Sequence, residues 1–207
     1  MAELSAPGST VVLRPLASPL PLGFLALVFA TVPFSAVQLG WVLPTDARIA
    51  GIAAVAATVP LQLLAAVIGY LARDVAAATG MGLLAGTWAT VGLATLTSPP
   101  GATSKELGVF LLTAGVCMFV PAAAASAKLV PATVMGLAGL RFLATGAYEL
   151  IASAAWKATA GWVGLLLGLV ALYAALALAL EGAQGRTVLP LGRRQPVSEE
   201  PGVRRIL

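Results

Sequence analysis

The chain of 207 residues has no histidine, one cysteine and few charges. Each shortage removes a class of function. Without histidine there is no imidazole base, no switch titrating near neutrality, and no Ser-His-Asp or Cys-His arrangement. Cys117 lies inside an apolar stretch and has no second cysteine, so a disulfide framework, a zinc site and a redox pair are excluded. No carboxylate pair or metal-ligand cluster falls within the apolar stretches, and the sequence predicts neither an enzyme nor a bound metal or cofactor. Charged residues make up 10% of the chain, against about 25% for a soluble domain. Twelve Lys and Arg with eight Asp and Glu cannot cover a water-soluble fold whose residues are 59% hydrophobic.

What is present is apolar sequence in pieces of one length. About 20 apolar residues cross a ~30 Å hydrocarbon core, and six such stretches follow one another at 21–43, 49–72, 79–97, 107–126, 129–152 and 161–180. The breaks between them are short: Pro44-Thr45-Asp46-Ala47-Arg48, Arg73-Asp74, Ser98-Pro99-Pro100-Gly101, and the Lys128 to Pro131 turn. The fold class is therefore an all-α integral membrane protein of six transmembrane helices. It divides into an N-terminal tail (1–17), one membrane domain (18–192) and a basic tail (193–207). That last tail carries Arg193, Arg194, Arg204, Arg205, Glu199 and Glu200 with two prolines, a composition that reads as disordered. It lacks interleaved aromatics, so nucleic acid is not expected as a partner. The lipid bilayer is.

Cytoplasmic loops retain Lys and Arg. With the N-terminus inside, Arg14, Arg73, Lys128, Arg186, Arg193, Arg194, Arg204 and Arg205 are cytoplasmic, while Arg48, Lys105 and Lys157 are outside. Eight against three predicts N-in, C-in, and an even number of spans requires both termini on one side. The first stretch is too long for a secretory h-region and has no strong basic flank, so the chain is read as a multi-pass inner (plasma) membrane protein.

Within the spans, small and polar residues carry the detail. Gly82 with Gly86, and Gly164 with Gly168, stand four apart on one helix face and let backbones approach. Pro33 and Pro60 each remove a ladder hydrogen bond and predict kinks. Arg141 lies about twelve residues into the fifth stretch, roughly 18 Å along it and close to the midplane. A charge there survives only by facing a partner or an aqueous cavity. It reads either as a structural clamp, through an ion pair or a carbonyl, or as an anion-attracting centre in a conduit. Glu149, two turns on, is the only other deep charge. Thr31, Ser35 and Gln38 on the first span, Gln62 on the second, and Thr87 with Trp88 on the third are further candidates for a solute path.

Two end segments and two inner ones resemble a known family. Ser18-Pro19-Leu20-Pro21-Leu22-Gly23-Phe24 resembles the Asn-Pro-Ala-Pro-Leu-Gly-Leu lead-in of the acetate uptake transporter family, the bacterial succinate-acetate permease type. Gly185-Arg186-Thr187-Val188-Leu189-Pro190-Leu191-Gly192 is similar to its closing segment Gly-Arg-Thr-Val-Leu-Pro-Ile-Gly. Between them, Glu106-Leu107-Gly108-Val109-Phe110 and Gly161-Trp162-Val163-Gly164-Leu165 resemble the starts of its fourth and sixth helices. The resemblance implies a six-helix protomer in a homo-oligomer, usually a hexamer, with one narrow path per protomer for acetate, related monocarboxylates or succinate. Both proton-coupled and channel-like behaviour are associated with that family. Gln62 matches a family glutamine and Trp88 a bulky aromatic. Ser18 replaces the leading Asn, Ser35-Ala36-Val37-Gln38 replaces a more polar Asn-Leu-His-Asn-like stretch, and Arg141 matches no family motif. The chain therefore reads as a diverged member whose solute is a small carboxylate. A neutral-solute channel of the urea or amide type, and a non-transporting scaffold subunit that uses its tail, are the other readings the sequence allows.

Overall fold

The computed structural model describes residues 16–193; the rest of the expected N-terminal tail and the basic tail from Arg194 lie outside them. Six helices are long and apolar enough to cross a membrane: Leu20–Gln38, Pro44–Leu71, Val75–Thr97, Lys105–Ala124, Leu129–Ile151 and Ala154–Gln184. Among the described residues there is no strand, only an isolated bridge between Lys128 and Arg193.

Helix ends depart from the hydropathy boundaries where capping decides them. The third helix starts at Val75 rather than at 79, because Asp74 Oδ1 accepts the Ala77 N–H at 2.9 Å. The fourth starts at Lys105, where Ser104 Oγ accepts the Leu107 N–H at 3.2 Å. The sixth starts at Ala154, not at 161, which puts Lys157 in its first turn rather than in a loop. The first ends at Gln38, not at 43, and the chain unwinds through Gly40 at φ +74.

The expected kink at Pro60 takes a specific form. The second helix changes pitch along its length, with α-helix over Ala47–Ala53, a π turn over Ala54–Thr58 and α-helix again over Val59–Leu71. Pro60 has no N–H to donate and its ring crowds the carbonyl four residues back; the wider turn just before it absorbs both effects. Inside that turn Thr58 Oγ1 donates to the Ala26 carbonyl of the first helix at 2.9 Å. Pro33 sits inside an unbroken first helix. The fourth helix is interrupted at Met118, between Lys105–Cys117 and Phe119–Ala124, ahead of Pro121.

Each helix packs on its neighbours in sequence, and the first closes the ring against the sixth. Glycines set the closest approaches. A Cβ on Gly108 would stand 3.1 Å from the Gly146 carbonyl, and one on Gly115 2.9 Å from the Gly139 carbonyl, so the fourth and fifth helices touch backbone to backbone at two points. Gly164 and Gly168 lie against the first helix as their spacing suggests. Gly82 and Gly86 do not pack this way: Gly86 has nothing within 4 Å and Gly82 meets only the Ala66 Cβ at 3.9 Å.

The closing segment folds back as a strap. Gly185 at φ +64 ends the sixth helix. The chain then runs beside it, with Tyr173 Oη donating to the Pro190 carbonyl at 2.9 Å. Leu191 is buried. The fifth helix has no side-chain cap at its start, and the strap supplies the acceptors instead: Leu129 N–H donates to Gly192 O at 3.1 Å and Val130 N–H to Leu191 O at 3.2 Å. Thr187 and Arg193 both engage Glu181, by a hydrogen bond and an ion pair. Burial first, and then the neighbouring Arg193, hold the Lys128 ammonium below the usual lysine range. At the other end of the bundle's sequence, Pro19 and Pro21 open the first helix, and Gly23 lets it lie against Met81.

Six spans place Leu16 and Arg193 on one face and the 39–46, 98–104 and 152–153 turns on the other. In a Cys117→Ala background, an impermeant thiol reagent should label a cysteine at Arg193 from one side of the membrane, and cysteines at Asp46, Thr103 and Lys157 from the opposite side. Labelling of Arg193 and Asp46 from the same side would contradict the six-span arrangement.

Candidate functional site

The first, third and fifth helices run in the same direction, from the terminal face toward the turns. Each brings one aromatic to the same depth, about 18–21 Å from its start at 1.5 Å per residue. Phe34, Trp88 and Phe142 meet there, with ring centroids 5.6 Å apart for Phe34 and Trp88 and 5.8 Å for Trp88 and Phe142. All three are buried. They form a dry aromatic plug across the middle of the ring.

Arg141 lies in this plug and is only 2% exposed. Its guanidinium carbon sits 5.3 Å from the Trp88 ring centroid, a cation–π contact worth about 2 kcal/mol or more when desolvated. Nη1 donates to the Thr31 carbonyl at 2.8 Å, and Nη2 to Gln38 Oε1 at a long 3.5 Å. Thr31 O also accepts from Ser35 Oγ at 2.7 Å. Space for the group comes from the sixth helix: a Cβ on Gly164 would fall against Ser35 Oγ and 2.8 Å from Arg141 Cζ. Among the described residues no carboxylate stands within ion-pair distance of Arg141. In the same neighbourhood the Trp88 indole N–H and the Thr31 hydroxyl have no hydrogen-bond partner among the described residues.

Above the plug, toward the turns, a cavity of about 220 Å³ opens. Phe34, Gln38 and Thr145 line its deep end, and Arg48, Tyr148 and Lys157 are among its outer residues. Gln38 Nε2 donates to Thr145 Oγ1 at 3.3 Å. Lys157 Nζ lies 5.8 Å from the Tyr148 ring centroid. Glu149 also lines this vestibule, but its Oε2 accepts the Ser104 N–H at 2.8 Å and so holds the loop ahead of the fourth helix. It is not the partner of Arg141. Two cations against one engaged carboxylate make the vestibule favourable to anions.

This architecture has a solved counterpart. It is similar to the structure of the bacterial acetate channel SatP, with a TM-score of 0.76 and 24% identity over 86% of this chain and 99% of that one. No family model and no curated protein matches the chain. At that identity the likeness to SatP speaks for the fold: a ring of six membrane-spanning helices.

Of the residues singled out in the sequence, the fold gathers Thr31, Ser35, Gln38 and Trp88 around Arg141. Thr87 turns to its own helix, donating to the Leu83 carbonyl at 2.8 Å. Gln62 is fully buried one turn from Thr58, and neither end of its amide has a hydrogen-bond partner among the described residues. The lead-in residues Ser18, Pro19, Pro21, Leu22 and Gly23 and the closing residues Gly185, Arg186, Thr187, Pro190 and Gly192 all lie toward the terminal face, where they shape helix ends and the strap. Sequence reasoning missed Phe34, Phe142, Thr145 and the role of Gly164. Phe34 and Phe142 each stand thirteen residues from the start of their apolar stretch, but the match with Trp88 appears only once the third helix is seen to start at Val75.

Gly164→Ala should push the guanidinium and Ser35 out of register and destabilise the fold by about 1–3 kcal/mol, the range for overpacking. Gly86→Ala, placed in open space, should leave stability unchanged or raise it. Thermal unfolding in detergent checks the pair, and equal melting temperatures for the two would refute the tight packing on Arg141.

Proposed function

We propose that this chain is a diverged acetate uptake transporter that passes small monocarboxylate anions, acetate foremost, across the inner (plasma) membrane. In this reading each protomer of a homo-hexamer holds one path, the termini face the cytoplasm, and the vestibule faces outward. The fold shared with a bacterial acetate channel supports the architecture. The observation that carries the solute class is Arg141: a buried guanidinium without a carboxylate partner among the described residues, beneath a cationic vestibule.

A bare carboxylate in hydrocarbon is prohibitively unstable, and a positioned cation offsets that. Arg141 offers a planar donor fork suited to a carboxylate, beside the free indole N–H of Trp88. The aromatic plug keeps the site dry, which strengthens the attraction, and its bulk favours short solutes. Succinate, with two charges and one cation to meet them, fits less well. Glu149 is tied to Ser104, and no histidine exists to relay a proton, so channel-like passage of the anion is the simpler mechanism.

Purified protein in liposomes should take up labelled acetate saturably, lactate and succinate less well, and urea not at all, at two external pH values. Hydrogen bonds to a charged group contribute about 1.5–3 kcal/mol, so Arg141→Gln should lower acetate flux roughly 10- to 100-fold. Arg141→Lys keeps the charge without the fork and should retain part of the flux while discriminating poorly among carboxylates. Urea uptake without acetate uptake would establish a neutral-solute channel instead, and wild-type flux in both well-folded variants would remove Arg141 from the path.

A further inference from the structure

Gln38 stands between the vestibule and Arg141, and both ends of its amide are held weakly. Arginine only donates, so the amide oxygen must face the guanidinium and the amide nitrogen must face the Thr145 hydroxyl. The contacts are 3.5 Å to Arg141 Nη2 and 3.3 Å to Thr145 Oγ1, both long. By contrast the Arg141 bond to the Thr31 carbonyl is short, at 2.8 Å. Gln38 and Thr145 line the vestibule, whereas Arg141 does not. Among the described residues, the acceptor on the vestibule side of the guanidinium is thus an sp² oxygen of the same kind as a carboxylate oxygen, but uncharged.

Gln38 is also placed to move. It is the last residue of the first helix, followed by Leu39 and by Gly40 at φ +74, and it is half-buried where Arg141 is sealed. Gly161 on the sixth helix lets this end of the first helix pack closely: a Cβ there would meet the Leu39 side chain at 2.6 Å and the Gln38 Cβ at 3.4 Å.

We propose that Gln38 is the gatekeeping residue of the path: its side-chain carbonyl occupies the position on Arg141 Nη2 that a solute carboxylate takes, and an arriving carboxylate displaces it. The inference rests on the carboxylate reading above. Exchange is favourable because a long, neutral-acceptor bond is replaced by a charge-assisted one of about 2.7–2.9 Å. A neutral solute offers no such gain, so the residue acts as a selectivity filter for small anions as well as a cap over a buried cation.

Two substitutions separate this role from a structural one. Gln38→Glu places a permanent tethered carboxylate on Arg141, and Gln38→Ala removes the competitor. In proteoliposomes at pH 7.5, Gln38→Glu should lower acetate flux about tenfold or more, while its melting temperature stays at or above wild type, as expected for a charge-assisted pair. Gln38→Ala should lower the half-saturating acetate concentration by about threefold or more, since the solute no longer has to displace the amide oxygen from Arg141. It should also admit urea. Acetate uptake by wild type with unchanged half-saturation and flux in both variants would overturn the gate and leave the carboxylate function standing. Absence of acetate uptake by wild type would overturn the function and the gate together, and shows before any variant is compared.

Discussion

A guanidinium at the depth where a bilayer is driest must be stabilised by its surroundings, and the surroundings of Arg141 are arranged to do so only in part. A carbonyl at 2.8 Å, an indole face at 5.3 Å and a distant amide oxygen spread its charge, but no anion balances it among the described residues. Desolvating a cation costs several kcal/mol even after relaxation. Of the two sequence readings, the structure supplies the carbonyl clamp and shows that Glu149 is elsewhere, bound to Ser104. The clamp satisfies one edge of the fork. Among the described residues, the edge toward the vestibule is met by Gln38 at 3.5 Å, and under the proposed function a small anion arriving from that side gains a contact there.

The rest of the bundle can be understood as what this residue requires. Gly164 removes a side chain so that the guanidinium and Ser35 fit against the sixth helix. Trp88, whose ring lies 5.3 Å from the guanidinium carbon, is itself packed against Phe34 and Phe142, and all three rings are buried. The π turn before Pro60 presents Thr58 to the first helix, tying the helix that carries Thr31, Ser35 and Gln38 to its neighbour. The strap from Gly185 to Gly192 performs the matching task at the foot of the fifth helix, where its carbonyls take the first N–H groups of the element that bears Arg141.

The number, order and class of the helices were legible because hydrocarbon thickness imposes a length on any apolar span, and composition imposes its environment. Helix ends were not legible from hydropathy where capping decides them: Asp74 and Ser104 moved two of them, and Lys157 was absorbed into the sixth helix. Arg141, Thr31, Ser35, Gln38 and Trp88 were legible as polar or amphipathic residues in lipid, yet not as one cluster, since their meeting depends on the ring closing the first helix against the sixth. Phe34 and Phe142 were hidden among many apolar residues, and Gly108, Gly115, Gly139 and Gly146 because their seven-residue spacing differs from the four-residue spacing that draws attention. The short Gly82 and Gly86 motif, conversely, announced an approach that this chain does not make.

If Arg141 is the anion site at the midplane, a small carboxylate should be found on its guanidinium. The test is the structure of the Cys117→Ala protein with bromoacetate, a carboxylate whose bromine gives an anomalous signal and, with no thiol present, is not lost by alkylation. Bromine should lie within a few ångströms of the guanidinium, with the Gln38 side chain turned away from Nη2. Bromine confined to the outer vestibule, with Gln38 Oε1 still on Arg141, would contradict it.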